Sequence, residues 1–361
     1  MSRLQTKKEK RRSVKSNFNL EHLLGNKVEV VDKIIADIDK HVKRIEIPKR
    51  DGTKRKILAP DSRLKYIQKR INWLIFMKFK PNPNAHGFIK KRGIATNAAR
   101  HVGVNSIGHI DVKNFFDSIS TNHMKNCLFG NKNICRYCKN YNKMLEGYCH
   151  PSIYKNKEQR FPHKCEELKA VYIPKYCEET GYESLFLRLI SLCTYNGFAA
   201  QGFPTSPYLA NIVIKGFDNK IAKLAVENNC NYTRYADDMT FSSNTLDKNQ
   251  LRALFKQKCY RLLWAFGFAP NKKKTHWKDV GRFKVCGVVV NEKLNIMRKT
   301  VRVFRAKVHN ATVKNEARTT KTYIRKLKGW ASYLMSVNRE KGEKYMRLLT
   351  VFENRKWPKV A

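Results

Sequence analysis

Hydrophobic residues recur at helical spacing along residues 208–225. The positions are Leu209, Ile212, Val213, Phe217, Ile221 and Leu224. Spacings of three and four residues place these side chains on one face, which predicts a single amphipathic helix over the stretch. Upstream, a further helix is predicted over residues 63–80.

Two stretches predict β-hairpins. In residues 45–57 the strands meet at Asp51-Gly52, which is a strong signal for a tight turn. In the second stretch the turn is Ala236-Asp237, and the flanking β-formers are Tyr232, Thr233, Tyr235, Met239, Thr240 and Phe241. The second hairpin therefore carries two adjacent carboxylates, of Asp237 and Asp238, at its tip.

A stiff turn is predicted just before the 208–225 helix. Residues 201–207 are Gln-Gly-Phe-Pro-Thr-Ser-Pro. The glycine, Gly202, tolerates unusual backbone angles and the two prolines restrict theirs, so the backbone can approach a ligand closely. The chain order is then a strand, this turn, a helix and an acidic hairpin.

Three aspartates stand near predicted strand ends. Asp111 lies far upstream within residues 110–116, and Asp237 and Asp238 lie at the hairpin tip. Carboxylates from separate strands can hold two divalent metal ions about 3.5–4 Å apart, an arrangement used for phosphoryl transfer. The alternative is that Asp237 and Asp238 form only a polar hairpin tip. Their occurrence together with Asp111 and the intervening turn favours the metal site.

The net charge indicates what kind of partner the chain binds. The chain has 361 residues, 42% of them hydrophobic, and a formal net charge of +45. That composition supports a folded core, and that charge predicts binding to a polyanion. A membrane surface is the rival polyanion to nucleic acid, but no apolar run reaches the roughly 18 residues of a spanning helix. We therefore expect no membrane partner.

The two ends of the chain are basic. Residues 1–25 form an arm without the apolar core of a signal peptide, so a cytoplasmic protein is expected, with organelle targeting as the alternative. From residue 298 onward there are 18 Lys and Arg against four Glu and no Asp, with aromatic residues interleaved. Basic helices with aromatic faces fit RNA binding. For Trp330 and Tyr333 the favoured interpretation is core packing.

Cysteines cluster in one part of the chain. Cys135 and Cys138 have the spacing of a zinc knuckle, and Cys149 with His163 or Cys165 would supply a second ligand pair. The alternatives are a structural Zn²⁺ or a set of reduced thiols in a basic loop. The remaining cysteines, expected as small core residues, are Cys127, Cys193, Cys230, Cys259 and Cys286.

The order Asp111, the 201–207 turn and Tyr-Ala-Asp-Asp resembles the reverse transcriptases, most closely the bacterial retron type. The further motifs are Arg55-Lys56-Ile57-Leu58-Ala59-Pro60, Ala85-His86-Gly87-Phe88, Asn97-Ala98-Ala99-Arg100-His101 and Val285-Cys286-Gly287. The last motif is Val-Thr-Gly in the family, so Cys286 leaves the RNA-recognition role of that turn less secure. Asn97 and His101 would contact RNA or, alternatively, form a helix cap and a satisfied buried imidazole.

The resemblance implies an α+β right-hand polymerase fold. The fingers would be residues 26–100, and the palm, with an antiparallel sheet, residues 101–126 and 181–290. A Cys/His-rich insertion would occupy residues 127–180, and a basic helical, RNA-binding thumb residues 291–361.

The resemblance also implies roles at the acidic site. Asp111 and Asp237 would hold two Mg²⁺ ions, with Asp238 as the weakest ligand and the carbonyl of Val112 completing one coordination shell. Phe116 would be the steric gate that crowds a ribose 2′-hydroxyl, with ordinary core packing as the alternative.

Further residues would contact the nucleotide. Gln201 and Gly202 would lie against the incoming dNTP and the template. Lys56 and Arg63 are candidates for binding the triphosphate. Lys274 would neutralise or protonate the leaving pyrophosphate.

The implied function is an RNA-directed DNA polymerase. A structured noncoding RNA would serve as template and primer, and the product would be a branched RNA–DNA hybrid (msDNA) used in bacterial antiphage defence together with a separate effector protein. The first alternative is a reverse transcriptase of the abortive-infection or group II intron type, although the length leaves little room for added maturase and endonuclease domains. The second is an RNA-binding scaffold that restrains an effector. The complete aspartate set favours the enzyme.

Overall fold

The computed structural model describes residues 24–48, 52–129, 182–314 and 319–358. The α-helices are α1 Val28–Ala36, α2 Ser62–Leu74, α3 Ile94–Ala99, α4 Thr121–Phe129, α5 Tyr182–Cys193, α6 Ser206–Val213, α7 Lys215–Glu227, α8 Lys248–Ala265, α9 Arg298–Thr312, α10 Lys321–Val337 and α11 Arg339–Lys356. The strands are β1 Val42–Pro48, β2 Lys54–Pro60, β3 Ser106–Lys113, β4 Thr194–Tyr195, β5 Phe198–Ala199, β6 Cys230–Tyr235, β7 Asp238–Ser243, β8 Ala269–Pro270, β9 His276–Lys278, β10 Lys284–Val285 and β11 Val288–Val289.

These elements divide between two compact units. Of the described residues, the first unit contains those within Met1–Pro81, Lys113–Phe217 and Arg261–Ala269. The second contains the described residues within Asn82–Val112, Asp218–Tyr260 and Pro270–Ala361. The limits of the fingers, palm and thumb given above remain predictions.

The first unit contains the hairpin predicted over residues 45–57. Strands β1 and β2 pair antiparallel from Val42↔Pro60 to Pro48↔Lys54, so the hairpin is confirmed and is longer than its sequence pattern. Gly52, on the β2 side of the turn, has φ +80°, a conformation that glycine adopts without strain.

Helix α2 begins where the sequence predicts and ends earlier. Its first turn is capped by Asp61, whose carboxylate accepts a hydrogen bond from the Leu64 amide at 2.8 Å. The helix stops at Leu74 because Ile75 leaves helical backbone angles (φ −120°, ψ −67°), and a short 3₁₀ turn at Phe76–Lys78 follows. The prediction of helix up to residue 80 was therefore wrong at its end. The break coincides with burial of the Phe76 side chain.

The single helix predicted over residues 208–225 is two helices, α6 and α7. The break lies at Ile214 (φ −84°, ψ −1°), two residues before Gly216. A Cβ atom at Gly216 would lie 3.0 Å from the Phe266 ring, so any larger residue here would require that ring to move by a few tenths of an ångström. Glycine costs a helix interior about 1 kcal/mol relative to alanine, which weakens helix continuity at this point.

The second unit is built on a five-stranded sheet with the order β6-β7-β3-β8, in which β9 also pairs with β3. Strands β6 and β7 form the predicted acidic hairpin and pair from Cys230↔Ser243 to Tyr235↔Asp238. Strand β7 in turn pairs antiparallel with β3, ending at Asp111↔Asp238. The sheet register therefore carries the upstream aspartate to the hairpin tip.

The C-terminal helices share a core with β10, β11 and β3. Its buried members are Ala98, Val104, Ile107, Phe283, Val285, Val288, Val290, Ile296, Phe304, Val308, Ala311, Ile324, Leu327, Ala331, Leu334, Val337 and Leu349. Trp330 is 48% exposed, so its interpretation as a core residue was wrong. Its ring lies at the edge of this core, 6.4 Å from the Phe304 ring and 5.6 Å from that of half-buried Tyr333. Within the described ranges, no helix is long and apolar enough to cross a membrane.

Candidate active site

The three predicted aspartates meet at one end of the sheet in the second unit. Asp111 on β3 lies directly opposite Asp238 on β7. The next residue on β3, Val112, donates its backbone N–H to the carbonyl of Asp237 at 3.0 Å. Residues more than 120 positions apart in the chain are therefore neighbours because β3 and β7 pair in this register.

A two-residue turn presents Asp237. Its first residue, Ala236, has φ +56°, a left-handed conformation that costs a non-glycine residue about 1–2 kcal/mol. Gly87 lies directly against this turn, since a Cβ atom at Gly87 would be 2.5 Å from the Ala236 nitrogen. The turn is thus held in an unfavourable conformation by a tight neighbour.

Asp111 is held by two side chains. Its Oδ1 accepts a hydrogen bond from Asn271 Nδ2 at 2.9 Å, and its Oδ2 accepts one from Lys274 Nζ at 3.1 Å. The Asp111 side chain is 15% exposed, whereas that of Lys274 is 64% exposed and reaches in from solvent. Of the three consecutive lysines, Lys274 is the one that contacts Asp111. Asn271 was missed from the sequence, where its only signal was its position three residues before Lys274.

The carboxylates at the turn have different surroundings. Burial, and next the negative charge of Asp111, raise the pKa of Asp237 above its usual value. Asp238 instead faces His109, whose Nδ1 lies 3.5 Å from its Oδ1. The His109 ring stacks on His276 with centroids 4.7 Å apart. His109 was also missed, because its approach to Asp238 depends on strand pairing.

The residues fit divalent metal ions in donor chemistry. Carboxylate oxygens are the ligands that Mg²⁺ prefers. Burial and then repulsion by Asp111 raise the pKa of Asp237, and a bound cation would relieve that repulsion. The Lys274 ammonium already supplies one positive charge beside Asp111. In the described part of the chain, no three His, Cys, Asp or Glu side chains are grouped so as to enclose a metal ion. The Asp111 carboxylate instead accepts hydrogen bonds from Asn271 and Lys274, and the Asp238 carboxylate faces His109.

The family assignment follows from comparison with known proteins. Residues 47–290 match the family described as "Reverse transcriptase (RNA-dependent DNA polymerase)". The chain belongs to the reverse transcriptase family. Strands β3 and β7, which carry Asp111 and Asp238, and the turn with Asp237 lie within the matched residues. The α+β right-hand polymerase fold predicted for the chain is confirmed.

Relatives of this reverse transcriptase include retron enzymes, which confirms the predicted retron resemblance. The retron Mx65 reverse transcriptase of Myxococcus xanthus is 29% identical over 320 residues, an alignment covering 85% of this chain and 64% of that protein. The retron Ec86 reverse transcriptase of Escherichia coli is 26% identical over 317 residues, covering 87% and 81%. The chain thus spans less than two thirds of the Myxococcus relative.

Among solved structures, telomerase from Candida albicans in complex with a TWJ fragment of telomeric RNA is similar with a TM-score of 0.44. It is 12% identical, and the match covers 91% of this chain and 65% of that one. A likeness at this level adds no support beyond the family match.

Apart from Lys274, the predicted nucleotide-contacting residues of the reverse transcriptase lie in the first unit. The carbonyl of Gln201 accepts a hydrogen bond from the Leu58 amide at 2.7 Å. Gly202 has φ +118°, and a Cβ atom there would lie 2.4 Å from the Leu58 carbonyl oxygen. The stiff turn therefore lies against strand β2, which also carries Lys56. The Lys56 and Arg63 side chains are exposed.

Phe116 lies in the 3₁₀ turn Phe116–Ser118 that follows β3. It is half-buried, whereas its neighbour Phe115 is 3% exposed, and the two rings are 5.6 Å apart. Phe115 is thus the core residue of the pair, and Phe116 keeps part of its ring accessible. Its role as a steric gate remains a prediction.

His101 is a structural residue, whereas Asn97 lies within helix α3 and does not cap it. His101 is fully buried and its ring nitrogens lie 2.7 Å from the hydroxyls of Ser242 and Thr233. Burial lowers the His101 pKa to about 3, so the imidazole is neutral. Asn97 donates to the Cys286 sulfur at 3.3 Å. These contacts support the alternative of a satisfied buried imidazole over RNA contact.

The cysteines divide into two groups. Cys193, Cys230 and Cys259 are buried, as predicted. Cys127 and Cys286 are half-buried, so neither is a fully buried core residue. Cys286 lies in a turn with φ +48°, and its side chain packs at the edge of the core shared by the C-terminal helices. The proposed zinc ligands lie outside the described residues, and they are Cys135, Cys138, Cys149, His163 and Cys165.

Proposed function

We propose that this chain is an RNA-directed DNA polymerase of the retron kind. The observation that carries this proposal is the pairing of Asp111 with Asp238, beside Asp237, within a region that matches the reverse transcriptase family. Lys274 adds a cation at the same place, 3.1 Å from Asp111.

The proposed reaction joins a deoxynucleotide to a primer hydroxyl. Asp111 and Asp237 would hold two Mg²⁺ ions, assisted by Asp238 and the Val112 carbonyl. When bound, magnesium lowers the pKa of the attacking hydroxyl and neutralises charge on the triphosphate. The hydroxyl would lose its proton to solvent water as its oxygen bonds to the α-phosphorus of the dNTP. The bond between the α-phosphorus and the oxygen that bridges to the β-phosphorus would break, and pyrophosphate would leave.

The chain's own side chains would assist this step. The Lys274 ammonium, which donates to Asp111, would move to the leaving pyrophosphate and give it a proton or a compensating charge. Lys56 and Arg63 are exposed cations available to the triphosphate. Gln201 and Gly202 would contact the incoming nucleotide and template. The accessible part of the Phe116 ring would crowd a 2′-hydroxyl and favour dNTPs.

The substrate that we propose is a structured noncoding RNA that serves as both template and primer. The net charge of +45 supports an extended phosphate-binding surface. By resemblance to the retron type, the product would be a branched RNA–DNA hybrid, msDNA, whose synthesis begins at a 2′-hydroxyl. By the same resemblance, the setting would be the bacterial cytoplasm, in antiphage defence with a separate effector protein.

Primer extension tests the proposal. Purified protein, its copurified nucleic acid, Mg²⁺ and labelled dNTPs should yield DNA, and Asp237→Asn should reduce the rate at least about 1000-fold, because the metal-binding charge is lost. Sequencing of the copurified nucleic acid should reveal a branched RNA with a short DNA tail. The RNA-binding scaffold would be established instead by two results together. The wild-type protein would extend no primer, and the Asp237→Asn variant would protect cells from phage as well as the wild type does. Unbranched products would support another reverse transcriptase class.

A structural Zn²⁺ is proposed for the Cys/His-rich insertion. The support is the spacing of Cys135 and Cys138, with Cys149 and either His163 or Cys165 as the second pair. Metal analysis of purified protein should find about one zinc per chain, as expected for a closed four-ligand site. The Cys135→Ser and Cys138→Ser variants should lack it. A wild-type protein free of zinc would favour the reduced thiols.

A further inference from the structure

A fully buried ion pair lies beside the turn that carries Asp237. The Arg234 guanidinium donates to Asp218 through Nε at 2.9 Å and Nη2 at 2.7 Å. Both side chains are 0% exposed. The Tyr232 hydroxyl donates to the same carboxylate at 2.7 Å. Asp218, on helix α7, is thus fully engaged in holding one orientation of Arg234 on strand β6.

Arg234 makes a third contact, and that contact is to the turn. Its Nη1 donates to the carbonyl oxygen of Ala236 at 2.9 Å. Ala236 is the turn residue with φ +56°, and Asp237 follows it directly. The guanidinium therefore ties a rigid helix to the backbone of the residue that precedes a proposed metal ligand.

The backbone of Arg234 is fixed as well. Its N–H donates to the carbonyl of Asn84, and its carbonyl accepts from the His86 amide, both at 2.8 Å. The following residue, Gly87, packs against the Ala236 nitrogen. The 82–87 segment and the guanidinium thus restrain the turn together.

The segment that holds Arg234 is itself clamped by a second arginine. Arg92 Nη1 donates to the carbonyls of Asn82 at 2.8 Å, Pro83 at 3.1 Å and Ala85 at 2.6 Å. One charged guanidinium therefore binds three carbonyls of this short irregular segment. The segment cannot easily shift away from the turn, so the restraint on Ala236 is stiff.

Stability alone does not explain a buried charge pair in this place. Removing two charges from water is costly, and well-packed apolar residues often stabilise a fold equally well. A guanidinium offers five N–H donors in a rigid planar fork, so it can bind a carboxylate on one edge and a carbonyl on another. Neither lysine nor an apolar side chain can make all three contacts of Arg234.

We propose that Arg234, locked in place by Asp218, is a positioning residue that sets the Ala236–Asp237 turn and so directs the Asp237 carboxylate. Its catalytic consequence rests on the proposed polymerase function, whereas its effect on the turn does not. Arg234 contacts no reacting atom in this scheme. Its action passes through the backbone of the turn.

The decisive variant is the double substitution Asp218→Leu with Arg234→Met, which removes both charges together. The matched control is Ser242→Ala, which deletes a fully buried hydrogen bond to His101 on the same hairpin but makes no contact with the turn. Primer extension gives kcat and the KM for dNTP, thermal unfolding reports folding, and amide hydrogen exchange reports the mobility of residues 234–238.

We expect the double variant to lose at least about 10-fold in kcat with the dNTP KM within about threefold, because misplacing a catalytic group slows chemistry more than binding. Exchange in residues 234–238 should accelerate. Ser242→Ala should lower the unfolding temperature while leaving kcat and this exchange unchanged. A folded double variant with wild-type kcat, or with wild-type exchange in the turn, overturns the proposal.

Two further outcomes are also decisive. If the double variant does not fold, Arg234→Lys replaces it, since it keeps a positive charge for Asp218 but lacks the fork that reaches Ala236, and the same expectations and refutations apply. If the wild type extends no primer, the polymerase proposal fails. Hydrogen exchange then decides the positioning role by itself, so the two failures are distinguishable.

Discussion

Gly87 offers a direct way to displace the turn that carries Asp237. A Cβ atom at Gly87 would lie 2.5 Å from the backbone nitrogen of Ala236, whereas ordinary contact begins at 3.4 Å. The Gly87→Ala substitution therefore requires a shift of about 0.9 Å between the two backbones. The preceding residue, His86, is hydrogen-bonded to Arg234, so the 82–87 segment cannot retreat without breaking that bond.

The expected loss in kcat follows from the size of this backbone shift. A misplacement of about 1 Å can reduce catalysis on the order of 100-fold, so we expect Gly87→Ala to lower kcat about 10- to 100-fold. Gly93→Ala is the matched control, because Gly93 has extended backbone (φ −172°) and a Cβ atom there would meet nothing within 4 Å. The assay is steady-state dNTP incorporation on a template–primer, with thermal unfolding measured for both variants.

The comparison between the two glycines decides the outcome. If Gly87→Ala is folded and its kcat lies within twofold of that of Gly93→Ala, the turn tolerates displacement and the reasoning fails. A loss of kcat/KM that comes only from a higher dNTP KM, with kcat unchanged, would also contradict this expectation. The turn carries a proposed metal ligand and no proposed nucleotide contact.

Three other predictions concern single side chains. His101 has a folded-state pKa of about 3, below the unfolded value of about 6.5. Between these pH values only the unfolded chain takes up a proton at this residue, so the free energy of unfolding falls as the pH drops below about 6.5. Between pH 7.5 and 5 this group should remove about 2 kcal/mol from the free energy of unfolding, and His101→Gln should lack that loss in urea titrations. Lys274→Met should lower kcat about 100-fold with a smaller change in dNTP KM, as expected on losing a general acid, and equal kcat would exclude that role. Phe116→Val should raise ribonucleotide incorporation relative to dNTP about 10-fold or more, measured as the ratio of kcat/KM values, and an unchanged ratio would leave Phe116 as a packing residue.

Local patterns in the sequence predicted the elements whose causes are local. The acidic hairpin formed as expected because its β-formers and turn are contiguous. The single helix over 208–225 failed because the break at Ile214 accompanies a distant contact, the Phe266 ring against Gly216. Trp330 was misassigned because helical spacing identifies a face but not how far the neighbouring helices cover it.

The candidate site also combines residues that local motifs predict with residues that only the folded chain brings together. Motif order identified Asp111 and Asp237, and their meeting depended only on two strands pairing. Asn271, which binds Asp111, has no motif of its own and becomes a partner through the fold. Arg234 and Asp218 are sixteen residues apart, on a strand and a helix, and no local pattern indicates that both are buried. One available signal was a charged residue, Arg234, in an otherwise β-forming strand.

The most direct measurement is anomalous scattering from Mn²⁺ in crystals of the protein with template–primer and an incoming dNTP. Two manganese peaks about 3.5–4 Å apart, both contacted by Asp111 and Asp237, are the predicted result. Asp237→Asn crystals should lose at least one of them. Ordered nucleotide with no manganese at Asp111, or manganese bound only elsewhere in the chain, would contradict the account.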